Sequence, residues 1–444
     1  MSSRTPWLLP WFPVLLLAPL AAQRTTPVDR QLVAAGVWAE ARYNYAYWDA
    51  VRANWDSAFA ATVTYAGERP APTDLQFCRR LRRWGALLND GQFEILPPVP
   101  IASRIARPPL ALQSIERRPF IMDYASNDEM RVARPERLAE ILAVQGSPAA
   151  EWIRDSVLPE VSGGTELSRW ERAVVRMLEG ERGTALHLLL RLPGGEERGA
   201  SVTRSVPLTA RWPLENPALA ADTLPDGSIW IRVNSFADPG VLTMFDRALG
   251  NAPREGPRHR GLILDLRETV WTASGREQGY AMLSRLIERP LLTSRWRTPQ
   301  FRPAYRGSDL PDSAGAWLRA PSDTIWPLPR REGIAYTGPV AVLASARTAG
   351  PAEDFLVAFR AGNRGPVIGE PSGGSTGQTT VLPLPSGWQI RLTVTRDAFP
   401  DGREFMRTGI VPDLAVEVRV ADVLAGGDAA LDRARAYLTE IARR

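Results

Sequence analysis

Residues 339–355 have the pattern of a strand, a turn and a helix, which can present a nucleophile where the helix begins. The positive end of a helix dipole stabilises an anion in the first turn. Position 350 would suit a nucleophile, and the peptide N–H of position 351 would serve as an oxyanion donor. These positions hold Gly350 and Pro351, and proline has no N–H. The geometry suits nucleophilic catalysis, but the atoms that the reaction needs are absent.

The loop at residues 369–376 (GEPSGGST) nearly matches a phosphate-binding loop. Ser375 stands at the lysine position, and the residues that follow have the pattern of a strand rather than a helix. Without the lysine and the helix amino terminus, the loop lacks the charges that hold a phosphate. We therefore predict a tight glycine turn that can line a cleft, with no nucleotide site.

The composition excludes several kinds of site. The 444 residues contain no lysine, so all 54 basic residues are arginine, and there are two histidines and one cysteine. A lysine base, a Schiff base, an intrachain disulfide and a histidine-rich metal site are therefore not expected, nor is any cofactor. The net charge is +5, but the arginines are scattered among 49 acids, which favours a solvated surface over nucleic-acid binding.

The amino terminus has the features of a secretory signal peptide at residues 1–22. Arg4 precedes an apolar stretch at 7–20 that prolines interrupt and that is too short to span a bilayer. Cleavage is expected after Ala22, and the alternative is an uncleaved anchor. The mature protein, from about Gln23, is expected to be exported to the periplasm or the medium, without a later membrane segment.

The rest of the chain is expected to form three parts with α/β character, α+β overall. Residues 23–100 form a helical domain, with helical spacing over 31–62 and a second helix opening at Asp74. Residues 101–210 form a β-rich module in which we expect helices at 135–144 and 166–178. Residues 211–444 alternate strands and helices, which predicts a mixed sheet covered by helices. Sites in such folds lie beyond the carboxyl ends of the strands.

Five motifs in a fixed order resemble the carboxy-terminal-processing (tail-specific) serine peptidases, and the branch that shares the tricorn protease core is the closer. They are residues 89–92 (NDGQ), 261–267 (GLILDLR), 348–355 (TAGPAEDF), 369–371 (GEP) and 409–413 (GIVPD). The resemblance covers nearly the whole mature chain. It implies a spiral α/β core like that of Clp protease and crotonase, a central PDZ-like module, and cleavage of polypeptides by a serine nucleophile.

The catalytic positions that this resemblance implies are substituted. The family nucleophile is a serine three residues before the helix glutamate, which here places Gly350 before Glu353. The lysine base of one branch lies 25 residues later, at Ser375. The other branch takes a histidine from an Asp-Gly-His turn, whose third position is Gln92.

The oxyanion region is substituted as well. A glycine pair should follow Asp-Leu-Arg, but residues 268–272, which include Trp271, stand there, and Pro351 withholds a further donor. Glu404, before the last motif, is the one position that matches a supporting acid.

Substitute nucleophiles are the hydroxyls of Ser345, Thr348 and Ser375, although a turn or capping role is the simpler interpretation for each. We therefore expect a pseudopeptidase that binds a polypeptide or a hydrophobic ligand in a degenerate cleft. The alternatives are an active serine peptidase with a relocated hydroxyl and an interaction protein that works through the PDZ-like module. The sequence leaves the ligand and the oligomeric state open.

Overall fold

The computed structural model describes residues 25–124, 135–210, 217–250, 261–269, 274–300, 317–328 and 335–443. The predicted signal peptide at 1–22 and the oxyanion expectation for Trp271 lie outside the described residues. Within these ranges, no helix combines the length and the apolarity needed to cross a membrane.

The described chain mixes helices and strands throughout. The helices are α1 (Pro27–Asn44), α2 (Trp55–Ala66), α3 (Asp74–Gly85), α4 (Val99–Ala102), α5 (Ala149–Trp152), α6 (Glu166–Arg176), α7 (Val241–Gly250), α8 (Arg276–Ser284), α9 (Pro351–Ala361), α10 (Val420–Leu424) and α11 (Ala429–Ala442). The strands are β1 (Glu94–Leu96), β2 (Ile105–Arg107), β3 (Leu110–Ile115), β4 (Arg118–Tyr124), β5 (Glu140–Val144), β6 (Ser147–Pro148), β7 (Gly180–Glu181), β8 (Ala185–Arg191), β9 (Glu197–Thr203), β10 (Val206–Pro207), β11 (Leu219–Thr223), β12 (Ile229–Val233), β13 (Leu262–Asp265), β14 (Leu291–Leu292), β15 (Arg295–Pro299), β16 (Trp317–Ala320), β17 (Thr324–Ile325), β18 (Val340–Ala344), β19 (Val367–Gly369), β20 (Thr379–Pro383), β21 (Gln389–Thr393), β22 (Arg396–Ala398) and β23 (Leu414–Ala415).

The amino-terminal helices begin where their capping residues stand. Thr26 and Thr73 each form a capping box at the start of α1 and α3. The helical spacing predicted over 31–62 is interrupted between α1 and α2, because Tyr45 and Tyr47 pack into the core instead of continuing the helix. This core is not confined to residues 23–100: Trp388 and its neighbours belong to it, and β1 pairs with β21.

The middle part is built on a sheet with the strand order β3-β4-β5-β8-β9, against which α6 packs. The expected helix at 135–144 is wrong, because residues 140–144 form β5 and pair with β4 and β8. Ile141 and Val144 are buried beneath α6 and its neighbours, so tertiary pairing overrides the local helical spacing. The PDZ-like nature of this part stays a prediction.

The carboxy-terminal part contains a six-stranded sheet with the order β11-β12-β13-β18-β19-β23. Strand β11 is antiparallel to β12, and the following pairs are parallel. Successive residues of β13 face opposite layers: Leu262 and Leu264 pack in the core that includes α7, α8 and α9, and Ile263 packs with α11. The α/β organisation predicted for this part is confirmed, and the carboxyl ends of its parallel strands point toward the turn before α9.

Candidate functional site

The turn between β18 and α9 holds Gly350 as the capping residue of α9. Its φ is 60° and its ψ is −125°, a conformation that favours glycine. Its carbonyl accepts hydrogen bonds from the peptide N–H groups of Glu353 (2.8 Å) and Asp354 (3.2 Å). Pro351 follows as the first helical residue, where its missing N–H leaves no intrahelical bond unmade. The local structure explains a glycine and a proline here without any catalytic role.

The loop at residues 370–377 lies directly on this turn. The Gly350 N–H donates to the Ser375 carbonyl (3.0 Å), and the Gly373 N–H donates to the Thr348 carbonyl (2.8 Å). The Ser375 side chain is buried, and its hydroxyl has one intraloop contact, the Gly373 carbonyl at 3.5 Å. The predicted nucleophile and lysine positions are therefore neighbours, joined through their main chains.

The side chain of Glu353 anchors this loop through hydrogen bonds. Its carboxyl accepts hydrogen bonds from the Ser372 hydroxyl, the Gly374 N–H (2.8 Å) and the Ser375 N–H (3.0 Å). Burial raises the pKa of Glu353 to about 7, although these donors oppose the rise. In the sequence, Glu353 served only to locate position 350, and this anchoring role was not predicted. The signal for it was the pair of acids Glu353 and Asp354 in the first turn of a mostly apolar buried helix.

The turn that carries Gln92 meets the same loop. Asp90 is fully buried and accepts hydrogen bonds from the Gln92 N–H (2.8 Å) and the Thr393 hydroxyl (2.6 Å). The Gln92 side-chain amide donates to the Gly377 carbonyl (3.2 Å). Burial raises the pKa of Asp90, against the effect of its hydrogen bonds. The residue at the predicted histidine position therefore acts as a link between this turn and the loop.

Gly91 brings the two elements into contact. A Cβ atom placed on Gly91 would lie 2.2 Å from the Ser375 Oγ and 3.1 Å from its Cβ, so a larger residue would displace the Ser375 side chain. Arg172 of α6 donates from Nη1 to the Gly91 carbonyl (2.6 Å). The structure thus brings the Gln92 turn, Gly350 and Ser375 together, and it adds an arginine that the sequence analysis did not single out.

Two of the substitute hydroxyls serve the turn itself. The Ser345 hydroxyl donates to the Arg267 carbonyl (2.9 Å), and the Thr348 hydroxyl donates to the Leu266 carbonyl (2.9 Å). The Thr348 Oγ1 also accepts the Ser345 N–H (3.0 Å). Both are capping and turn contacts of the kind that small hydroxyl residues make.

Glu404 does not join this group. Its carboxylate pairs with Arg297 (2.7 Å) and lies 3.9 Å from Arg396. Its described contacts include none with Gln92, Gly350 or Ser375. The supporting-acid role predicted for Glu404 therefore has no contact in this structure that would carry it.

The residues after Asp-Leu-Arg are also engaged elsewhere. Glu268 pairs with Arg347, and the Thr269 hydroxyl donates to the Val233 carbonyl (2.7 Å). These contacts join Glu268 to the turn before α9 and Thr269 to β12.

The assembled positions are sealed rather than open. Gln92 is 3% exposed, Ser375 is 2% exposed and Thr348 is fully buried. Gly350 and Pro351 are buried as well. The degenerate cleft expected at these positions is therefore not open in this structure: the three positions meet, but the loop packs onto the turn and leaves Gln92 and Ser375 almost inaccessible to solvent.

Next to this turn, one arginine forms ion pairs with two buried acids. Arg276 pairs with Asp354 (2.8 Å) and with Asp397, and all three are largely shielded from solvent. Burial raises the pKa of Asp354, and although Arg276 opposes this rise, the neighbouring Asp397 carboxyl adds to it. This cluster ties α9 to α8 and β22.

A protein family model and several solved structures match this chain. Residues 229–416 match the model of peptidase family S41. The chain is similar to mature CPAF complexed with lactacystin, with 15% identity, a TM-score of 0.71, and coverage of 94% of this chain and 98% of that chain. A putative peptidase from Parabacteroides merdae is 16% identical, with a TM-score of 0.53 and coverage of 93% and 96%. The photosystem II D1 C-terminal processing protease is 18% identical, with a TM-score of 0.51 and coverage of 90% and 98%.

No curated protein sequence matches the chain significantly. At these identities, the solved structures show a shared fold and leave activity open.

Proposed function

Because residues 229–416 match the model of peptidase family S41, we propose that this chain is a non-hydrolysing relative of those peptidases that binds polypeptide without cleaving it. The proposed ligand is a polypeptide, and no covalent bond forms between this ligand and the chain. In this proposal, a bound polypeptide lies over the loop at residues 370–377 and does not reach the turn at Gly350, because the residues of that turn are buried.

The main observation behind the proposal is that position 350 offers neither a nucleophile nor a free N–H. It has no side chain, its N–H is bonded to the Ser375 carbonyl, and the next residue has no N–H to offer an oxyanion. The Ser345 and Thr348 hydroxyls, which could replace a nucleophile, donate to main-chain carbonyls. A serine or threonine also needs an adjacent base, and the chain has no lysine.

A fluorophosphonate probe tests the absence of a nucleophile directly, with a known serine peptidase as the positive control. We expect no labelling of the full chain, and no release of fragments from casein over the same period. Stoichiometric labelling, or steady proteolysis that a fluorophosphonate blocks, would contradict the proposal.

If the chain does have a relocated nucleophile, Ser375 is the strongest candidate. Among the described residues, its hydroxyl has a single long contact, the Gly373 carbonyl at 3.5 Å. The variant Ser375→Ala distinguishes the two: labelling that disappears in this variant but persists in Ser345→Ala would assign the nucleophile to Ser375.

Polypeptide binding needs a separate measurement. Fluorescence anisotropy of a labelled unfolded casein should show saturable binding by the unmodified chain, with the labelled polypeptide recovered intact. A chain that neither labels nor binds casein would favour the remaining alternative, an interaction protein that works through its middle part.

A further inference from the structure

A cavity of about 240 Å³ lies between α3 and the middle part of the chain, apart from the turn at Gly350. Its wall includes Arg79 from α3, Ile105 from β2, Trp152 from α5 and the segment at 177–181. None of the predicted catalytic positions lines it. A ligand bound here would not require the proposed function at Gly350.

The acids that line the cavity already have arginine partners. Glu160 pairs with Arg79 (2.7 Å), Glu179 pairs with Arg176 (3.2 Å), and Glu181 pairs with Arg104 (3.4 Å), in each case as an ordinary ion pair. The negative charges of these three glutamates are therefore balanced by arginines at or beside the cavity.

Arg204 is the exception among the lining arginines. It forms no ion pair with any residue in the part of the chain that the structure describes, so the wall carries one positive charge without a counter-ion. Burial and the neighbouring Arg79 both lower the pKa of Arg204, as expected for a guanidinium near a like charge and away from an acid.

The Arg204 guanidinium is nevertheless held in a defined position. Its Nε donates to the Leu178 carbonyl (2.8 Å) and its Nη1 donates to the Thr184 hydroxyl (2.8 Å). It also lies close to Gly180, where an added Cβ would be 2.5 Å from the Arg204 Cζ. These contacts fix the side chain and leave Nη2 without a described partner. A guanidinium fixed in this way loses little entropy when it binds an oxyanion.

Between the four arginines and three glutamates that line the cavity, the remaining wall residues are mostly apolar and include Ile105, Trp152 and Met177. The Trp152 indole N–H already donates to the Met177 carbonyl (2.8 Å), so its ring is fixed as well. A cavity of about 150 Å³ holds one benzene molecule, so about 240 Å³ has room for a ring and a short acidic chain.

We propose that this cavity binds a small monoanionic carboxylate with an apolar or aromatic body. Arg204 Nη2 receives the carboxylate, and Trp152 and Met177 contact the body of the ligand. The single uncompensated charge favours a monoanion over a phosphate dianion. The same chemistry is offered by a free organic acid and by the carboxy terminus of a peptide that ends in an apolar residue.

The test measures binding of 3-phenylpropionate to the full chain by isothermal titration calorimetry, beside its neutral amide, 3-phenylpropanamide. We expect saturable binding of the acid and binding at least about tenfold weaker for the amide, since its neutral oxygen can accept from Arg204 but lacks the charge of the carboxylate. The variant Arg204→Gln should weaken binding of the acid by about tenfold to a hundredfold. The control Arg198→Gln removes an exposed arginine with only a 3.9 Å pair and should bind as the unmodified chain does.

The variant Arg204→Gln also removes hydrogen bonds that support the fold. A second variant therefore tests the cavity without changing Arg204. Val157→Phe reduces the cavity volume and leaves the contacts of Arg204 in place, so it should abolish binding while circular dichroism stays unchanged. An acetylated dipeptide that ends in phenylalanine, as the acid and as the amide, distinguishes the two ligand sources. Binding of either acid with preference over its amide supports the proposal. Binding of neither acid, equal affinity for acid and amide, or affinity unchanged in Val157→Phe would overturn it.

Discussion

Replacing Glu353 with glutamine should remove a pH dependence of stability that this buried carboxyl imposes. The pKa of Glu353 is about 7 in the folded chain, against 4.5 for an unperturbed glutamate. Between these values the folded chain holds a proton that the unfolded chain has lost, so stability falls as pH rises. At 1.36 kcal/mol for each pKa unit, the full effect is about 3 kcal/mol. The contribution is therefore complete below about pH 4.5 and lost above about pH 7.

Urea unfolding followed by tryptophan fluorescence measures this contribution as a difference between variants. From pH 5 to pH 7.5, the free energy of unfolding should fall by about 2 kcal/mol more in the unmodified chain than in Glu353→Gln. At pH 5 the variant should itself be less stable by about 1–3 kcal/mol, because an amide nitrogen cannot accept from the loop. The control Glu151→Gln alters an exposed acid and should follow the unmodified chain. The reasoning fails if Glu353→Gln keeps the full pH slope.

Three other changes test the turn and the buried cluster. Gly350→Ser should lower the free energy of unfolding by about 1–3 kcal/mol because of its backbone conformation, and should gain no fluorophosphonate labelling; Gly350→Ala should be destabilised to a similar extent, and proteolysis by the serine variant would refute the assignment. Arg276→Leu should cost about 3–5 kcal/mol in urea unfolding, since it leaves Asp354 and Asp397 buried without a cation; a loss below 1 kcal/mol would show that the acids are already neutral. Thr348→Val should cost about 1–3 kcal/mol by the same measurement, because a buried carbonyl loses its donor, and an unchanged midpoint would argue against the capping role.

The sequence predicted the sheet of the carboxy-terminal part well, because its strands are continuous apolar runs bounded by turn residues. The spacing of the motifs also indicated that Gln92, Gly350 and Ser375 are close in space, although their functional roles stay predictions. Local spacing failed at β5, where pairing with two neighbouring strands decides the structure. A helical period cannot reveal that kind of contact.

The closed state of the site was beyond the reach of sequence patterns. It depends on the main-chain hydrogen bonds that join Gly350 to Ser375 and Gly373 to Thr348, and on the hydrogen bonds between the Glu353 carboxyl and the loop. Main-chain bonds leave no signature in residue types. The fixed guanidinium of Arg204 was missed for a related reason, since its contacts with Leu178 and Thr184 arise only from tertiary packing.

The pairing of β1 with β21 has a consequence for the order in which the chain folds. Asp90 and its partner Thr393 are 303 residues apart, and Phe77 packs edge-on against Trp388. At a synthesis rate of about 5–20 residues per second, roughly 15–60 s separate the appearance of the two sides. During that interval the apolar face of α3 has no cover from its final partner strand. Helix α3 therefore leaves the ribosome before the strand that covers it and can complete its core only after residues 388–393 have been made.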